Sequence, residues 1–406
     1  MSVANMDIRP VTDLDVRGLR LLVRADLNVP MQDGRVTDAT RLERFAAGMR
    51  PLLAAGARLV ILTHMGRPEG DMDPTYSVDK LRPLLSKAMG ARVLFSDISC
   101  GQSAVTLSES LADGEALLCE NVRYNPGEEA NDPALAAQFA LLGDVYVNDA
   151  FSCAHRAHAS TEAVARMMPA CAGPLLMEEI EALTTALETP TRPCVAIVGG
   201  AKVSSKIAVL RNLVQRMDTI IIGGGMANTF LFADGCNVGR SLHEADCLEV
   251  VAEIRATAKD AGCRLMLPHD VIVAREFAAG AAWEALPAHA CPEDAMILDA
   301  GERSTRAFEQ ELSGAATILW NGPLGAFEMP PFDRATTRLA AHAGRLAARG
   351  LVTAVAGGGD TVAALNAANA TQDFTYVSAA GGAFLEWLEG RTLPGIAALQ
   401  RAARAA

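Results

Sequence analysis

Short apolar runs and longer amphipathic stretches alternate along this chain. In the first half the runs fall at residues 21–23, 59–62, 93–95, 116–119 and 145–147. Each is a few residues long and bounded by polar or turn-forming positions, the pattern of a strand buried on both faces. Between them, residues 41–54, 78–89 and 133–142 carry apolar side chains at helical spacing. Strand and helix in alternation predict a parallel sheet covered on both sides.

The second half repeats the plan, with runs at 194–198, 219–222, 264–267, 317–320, 352–355 and 374–377, nearly all of them ending in glycine. Residues 174–187 read as a helix closed by Pro190 and Pro193. The fold expected is therefore α/β: two doubly wound parallel-sheet (Rossmann-like) domains joined by a hinge helix. The expected boundaries are 1–173 for the first domain, 174–190 for hinge helix and linker, and 191–392 for the second. At 406 residues the chain is long enough for two domains with their own apolar cores.

Charge narrows the choice of ligand. The formal net charge is −12 with few charge runs, so there is no general electrostatic reason to bind nucleic acid or anionic lipid. An anionic substrate must meet a local cluster of cations. The apolar runs are far shorter than the roughly 20 residues of a membrane helix, and no membrane association is expected. Asp7, Asp13 and Asp15 near the start are unlike a secretory or transit segment. Nine scattered cysteines without a C-x-x-C pair read as reduced thiols in a cytoplasmic protein.

In open parallel sheets, ligands bind beyond the carboxyl ends of the strands. In the first half those positions hold Asp26 and Asn28; His64 and Arg67; Glu120, Asn121 and Arg123; and Asn148 and Asp149 with His155 and Arg156 close behind. Arg41, at the start of a helix, can join Arg67, Arg123 and Arg156. Guanidinium groups bind phosphate and carboxylate in a forked, charge-assisted geometry, so four together select a small, multiply anionic ligand. The plainer alternative pairs each arginine with a nearby acid such as Glu43, Glu69 or Glu120. In the second half the strand ends carry Gly199-Gly200-Ala201-Lys202, Gly223-Gly224-Gly225, Asn321-Gly322-Pro323-Leu324-Gly325, Gly357-Gly358-Gly359-Asp360-Thr361 and Ala380-Gly381-Gly382. Glycine turns leading into helices suit the phosphates of a nucleotide. Neither a Walker-type G-x-x-x-x-G-K-[ST] nor a dinucleotide G-x-G-x-x-G fingerprint is present.

These segments together resemble the phosphoglycerate kinase family over essentially the whole chain. The resemblance is carried by VRADLNVP (23–30), THMGRP (63–68), ENVRYNPGEE (120–129), NDAFSCAHRAHAS (148–160), GGAKVSSKI (199–207), GGGMANTFL (223–231), WNGPLGAFE (320–328), GGGDT (357–361) and GGAFLEWLEG (381–390). It implies that Asp26, Asn28, Arg41, His64, Arg67, Arg123 and Arg156 hold 3-phosphoglycerate or its acyl phosphate. It implies that Lys202, Lys206, Gly301, Asn321, Glu328, Gly358, Gly359, Asp360 and Thr361 serve ATP or ADP, with Glu328 on the ribose and Asp360 on Mg2+. Arg41, Lys202 and Lys206, with amides near Gly359 and Gly382, are the expected catalytic groups. The family further implies a monomer whose tail, from about 393 to 406, packs on the first domain.

Two departures stand out. The family usually has Gly-Thr where this chain has Ser152-Cys153, a change expected to matter little. It has a Ser-Thr-Gly-Gly-Gly run where this chain has Ser378-Ala379-Ala380-Gly381-Gly382, a change expected to alter turnover or closure. His155 and His158 lack further ligands at metal-binding spacing, so no zinc site is expected. A dehydrogenase lacks support without its fingerprint, and a non-catalytic relative would have lost Arg41, Lys202 and Lys206.

Overall fold

The computed structural model describes residues 7–32, 34–68 and 72–405. The chain divides into two compact units, one of Ala182–Arg391 and the other of the chain up to Glu181 together with Thr392 onward. The division falls inside the helix Pro174–Leu183, within the segment read from the sequence as hinge and linker.

Apart from a short antiparallel pair, Met31–Gln32 with Arg35–Val36, the first unit is built on six strands: β1 (Arg20–Ala25), β2 (Arg58–Leu62), β3 (Val93–Ser96), β4 (Ala116–Cys119), β5 (Val145–Asp149) and β6 (Ala170–Ala172). They form one sheet in the order β3-β4-β2-β1-β5-β6, parallel throughout. Every residue of β4 and β5 is buried, which is why the sequence shows unbroken apolar runs there and not alternation. Alternation still decides which face each side chain takes. Leu21, Val23 and Ala25 share a core with Leu59, Ile61, Leu118 and Val147, packed against Phe45, Ala46 and Met49. The last three belong to the helix Thr40–Ala54, which buries positions 42, 45, 46, 49, 52 and 53, an amphipathic stripe. Just ahead of the N-cap residue Ala39, Asp38 accepts the Thr40 amide at 2.9 Å in a local side-chain turn.

The expected helix at 78–89 begins as a tighter turn, Val78–Leu81, and becomes α-helical at Arg82–Met89. Pro83 occupies the first α turn, where its missing N–H costs no hydrogen bond. The last helix, Pro394–Ala405, belongs to the first unit. Leu393, Ile396, Ala398 and Leu399 are buried, the Gly395 amide donates to the Ala154 carbonyl at 2.9 Å, and Arg401 pairs with Glu162 at 2.9 Å.

The second unit has strands β7 (Cys194–Val198), β8 (Thr219–Ile222), β9 (Arg264–Met266), β10 (Asp270–Ala274), β11 (Trp283–Pro287), β12 (Met296–Ala300), β13 (Thr317–Asn321), β14 (Thr353–Gly357) and β15 (Tyr376–Ser378). The main sheet runs β9-β8-β7-β13-β14-β15, all parallel. Its core gathers Ile197, Ile221, Phe308, Ile318, Trp320 and Leu339. A second, antiparallel sheet, β11-β10-β12, was not anticipated. Its edge strand β11 is mostly exposed, so it lacks the apolar run by which the other strands were recognised.

The buried tail predicts a stability effect far in sequence from the sheet it covers. Leu399→Ala should cost about 2–5 kcal/mol, read as a lower urea midpoint with little change in slope. An unchanged midpoint would show that the tail lies outside the cooperative unit.

Candidate active site

In the first unit, the strands ending near candidate residues are neighbours, in the order β4-β2-β1-β5. Because they are parallel, their carboxyl ends share one rim. There Arg41 donates to Asp26 at 2.8 Å and to the Asn28 carbonyl at 3.3 Å. A cation in the first turn of a helix opposes the macrodipole, so the helix Thr40–Ala54 does not favour Arg41 there, whereas the pairing with Asp26 does. Burial works to raise Asp26, but Arg41 and, with smaller effect, the Ser152 hydroxyl hold its carboxyl below the usual carboxylate range. Ser152 Oγ donates to Asp26 at 2.5 Å.

The β2 end is shaped by Gly66. It has φ +59°, and a Cβ there would stand 2.3 Å from the Tyr76 ring. Its amide donates to Asn28 Oδ1 at 3.1 Å and its carbonyl accepts from Arg123 at 2.5 Å. Asn121 Nδ2 bonds the Met65 and Tyr76 carbonyls at 2.8 and 3.0 Å. Glu120 receives the Ser77 hydroxyl at 2.7 Å and the Val78 amide at 2.9 Å. Glu120 therefore pins a loop and does not neutralise an arginine. Of the other acids considered as partners, Glu69 lies outside the described residues.

His64 is buried. Burial, and then the charge of Arg24, push it down to about 3, against the opposing pull of Asp26, so its ring is neutral at physiological pH. Arg123 and Arg156 also act on this ring. Arg123 pairs with Glu129 at 3.2 Å, and Arg156 Nε donates to His155 Nε2 at 3.1 Å. Arg67 is exposed, beyond the Gly66 turn. The rim thus collects Asp26, Asn28, Arg41, His64, Arg123 and Arg156.

Three participants were missed. Ser152 and Cys153, expected to be inconsequential departures, touch Asp26 and Arg24 respectively. Arg24 itself is almost fully buried, and its only signal in the sequence was a charge inside an apolar strand. Asp26, His64 and Cys153 bring a carboxylate, a ring nitrogen and a thiol within 4.8 Å of one another. Guanidinium groups already donate to all three or stand beside them, so this is a place for anions and not for a metal cation.

In the second unit, a cleft of about 510 Å³ is lined by Gly200, Gly224, Gly225, Leu298, Leu324, Phe327, Glu328 and Asp360, among others. That volume suits a nucleotide-sized ligand, and the mixture of apolar walls with a few polar groups is the usual one. The triple glycine serves both packing and access: a Cβ at Gly224 would meet the Gly200 carbonyl at 2.7 Å, and one at Gly225 would meet the Ala201 carbonyl at 2.3 Å. Lys206 Nζ donates to the carbonyls of Gly199 at 2.6 Å and Asn321 at 2.9 Å. Burial lowers its amine to about 8, opposed by Asp360.

Asn321 Nδ2 donates to the Gly357 carbonyl at 2.8 Å, and Thr361 Oγ1 accepts the Gly322 amide at 2.7 Å. Gly359 and Gly382 begin the helices Gly359–Ala367 and Gly382–Leu388. Lys202 is exposed. Gly301 lies one residue past Ala300, which lines the cleft, with Asp270 closing over its Cα.

The cationic rim of the first unit suits a small anion and the glycine-rich cleft of the second a nucleotide. The family model for phosphoglycerate kinase matches residues 11–391. The chain belongs to the phosphoglycerate kinase family. It is 54% identical to the phosphoglycerate kinase of Ruegeria sp. (strain TM1040), covering 97% of this chain and 100% of that one. Identity to the Methylorubrum extorquens (strain PA1) enzyme is 53%, covering 97% and 99%. Among solved structures, phosphoglycerate kinase from Coxiella burnetii superposes with a TM-score of 0.91 at 40% identity, covering 98% of this chain and 100% of that one. The Pyrococcus horikoshii OT3 enzyme gives 0.77 at 27%, covering 97% and 99%. The chain is therefore an enzyme, a phosphotransferase with a carboxyl group as acceptor, that uses a nucleotide and small-molecule substrates. No described helix is long and apolar enough to cross a membrane.

The Gly66 turn carries a prediction. Gly66→Ala forces left-handed strain, typically 1–3 kcal/mol, and displaces Tyr76. KM for 3-phosphoglycerate should rise about tenfold while KM for nucleotide stays near wild type. Equal changes in both would show that the turn does not serve the substrate half-site.

Proposed function

We propose that the cationic rim of the first unit holds 3-phosphoglycerate or 1,3-bisphosphoglycerate, and that the cleft of the second holds ATP or ADP. The observation that carries this reading is the gathering of Arg41, Arg123 and Arg156 with neutral His64 at one sheet edge of a protein of net charge −12. Asp26 orients Arg41, Asn28 holds the Gly66 turn, and the role of the exposed Arg67 follows the family. The roles of Lys202, Gly301 and Glu328 at the nucleotide follow the family, with Glu328 on the ribose.

The chemistry needs no general base. The attacking group is an ADP phosphate oxygen in one direction and a carboxylate in the other, and both are ionised at neutral pH. What lowers the barrier is in-line placement and neutralisation of the equatorial oxygens of the phosphoryl group in transit. Arg41 and Lys206 supply charge, Lys202 assists, and the amides at Gly359 and Gly382 donate further hydrogen bonds. Lys206 is restrained by two carbonyls, so little reorganisation is required of it. Transfer brings both substrates together through motion about the segment 174–190, which also keeps water from the acyl phosphate.

Asp360 lines the cleft, and Asn321 Oδ1 is buried without a partner among the described residues. Two oxygen donors beside a glycine turn fit Mg2+, which prefers oxygen ligands and shared phosphates. When bound, Mg2+ neutralises nucleotide phosphate charge. The enzyme is read as a cytoplasmic monomer.

The test is a coupled assay with 3-phosphoglycerate and MgATP, in which the acyl phosphate is consumed by an NADH-dependent reductive step. Lys206→Ala and Arg41→Ala should each lower kcat about 10²–10³-fold with folding intact. A folded wild type without turnover would overturn the reading. The buried amine also sets a pH dependence. Lys206 is an ammonium below about pH 8 and loses its charge above it, so kcat/KM should bend downward near pH 8. Bound nucleotide phosphates favour the ammonium, so the limb in kcat should lie at higher pH. A kcat/KM profile flat to pH 10 would remove Lys206 as the titrating group.

A further inference from the structure

We propose that Arg24 is a positioning residue for the substrate half-site: it holds His64 in the neutral tautomer protonated on Nε2, so that the ring meets the anionic substrate as a hydrogen-bond donor. The inference rests on the reading of His64 as a substrate contact.

Arg24 lies on β1, paired with Leu62 of β2 and Asn148 of β5. It takes the face opposite Val23, so its side chain is committed to the interior. Its nitrogens are distributed among fixed partners. Nε donates to Ser160 Oγ at 2.8 Å, Nη1 to the Ala25 carbonyl, and Nη2 to His64 Nδ1 at 3.2 Å and Cys153 Sγ at 3.7 Å. Ser160 is held in turn by Glu128, its hydroxyl donating at 2.5 Å and its amide at 2.9 Å. Glu128 and Ser160 therefore clamp one end of the guanidinium while the other end is aimed at the imidazole.

The chemistry of the pair leaves one arrangement. A guanidinium has only donors and does not deprotonate in proteins, so Nδ1 must accept. A neutral imidazole with Nδ1 accepting carries its proton on Nε2. A doubly protonated ring would turn a donor toward Arg24 and would add a charge beside Arg123 and Arg156, with Asp26 as the nearby acid in its favour. The opposite tautomer would show a lone pair to phosphate or carboxylate oxygens, which only accept. Free imidazole populates both neutral tautomers, so a site that needs a donor gains from a device that removes the wrong one.

The test uses the full chain with 15N-labelled histidine, without ligand. Two-bond nitrogen–proton correlations report which ring nitrogen of His64 is protonated, and His64→Gln assigns the signal. The expected result is a proton on Nε2 in wild type, mixed tautomers in Arg24→Met, and the wild-type pattern in Arg24→Lys, which also donates. KM for 3-phosphoglycerate should rise about tenfold in Arg24→Met with kcat changed far less, and Arg24→Lys should recover most of the loss. A wild-type His64 protonated on Nδ1, or on both nitrogens at neutral pH, overturns the proposal, and that spectrum needs no variant to fold. An unchanged tautomer in folded Arg24→Met also overturns it. The reading beneath it is separable: if His64→Ala leaves KM for 3-phosphoglycerate unaltered, His64 is not a substrate contact. If that KM rises while the Arg24→Met tautomer stays fixed, only the role of Arg24 falls.

Discussion

A parallel sheet buried on both faces leaves its carboxyl edge as the place where polar groups can gather without disturbing the core, and each unit of this enzyme is organised by that constraint. Covering helices take the two faces. Neighbouring parallel strands bring side chains far apart in sequence onto one rim: Asp26 follows β1, His64 follows β2, Arg123 follows β4 and Ser152 follows β5. The same rule in the second unit gathers Gly200, Gly224, Leu324 and Asp360 around one cleft.

Concentrating guanidinium groups on one rim is unfavourable in the absence of substrate, and the structure shows how the repulsion is contained. Asp26 takes Arg41, Glu129 takes Arg123, and Glu128 works through Ser160 on Arg24. Neutral His64 fits the same logic. A charged imidazole would add to the repulsion, while a neutral one contributes directionality at little electrostatic cost.

Much of this was legible in the sequence because the strands are fully buried and so appear as apolar runs, with the functional residues just after them. Asp26, His64, Arg123 and Asn321 could be placed at strand ends from that rule alone. What stayed hidden follows from the same rule. Arg24 lies inside a strand, where a charge is readable only as an anomaly until its partners Ser160 and Glu128, more than 100 residues away, are seen. Ser152 and Cys153 looked like tolerated departures, since nothing in sequence distance links Ser152 to Asp26, 126 positions away. In the sheet β11-β10-β12 only the exposed β11 lacks an apolar signature, while β10 and β12 carry short apolar runs that went unread. The start of α-helix at Arg82 and not at 78 depends on Pro83 and the Val78 amide's bond to Glu120, local chemistry that periodicity does not register.

Lys206 shows why such a site is costly to build and still useful. Burial disfavours its ammonium, and two backbone carbonyls satisfy two of its three donors. Those carbonyls belong to Gly199 and Asn321, the residues at which β7 and β13 give way to their turns, so the sheet itself sets where the charge sits. A lysine on the surface would keep its charge more cheaply but would be hydrated and mobile, and its solvation would have to be rearranged as phosphoryl charge develops. Holding the cation partly desolvated moves that cost into folding, where the core of the second unit can offset it, and out of the reaction barrier.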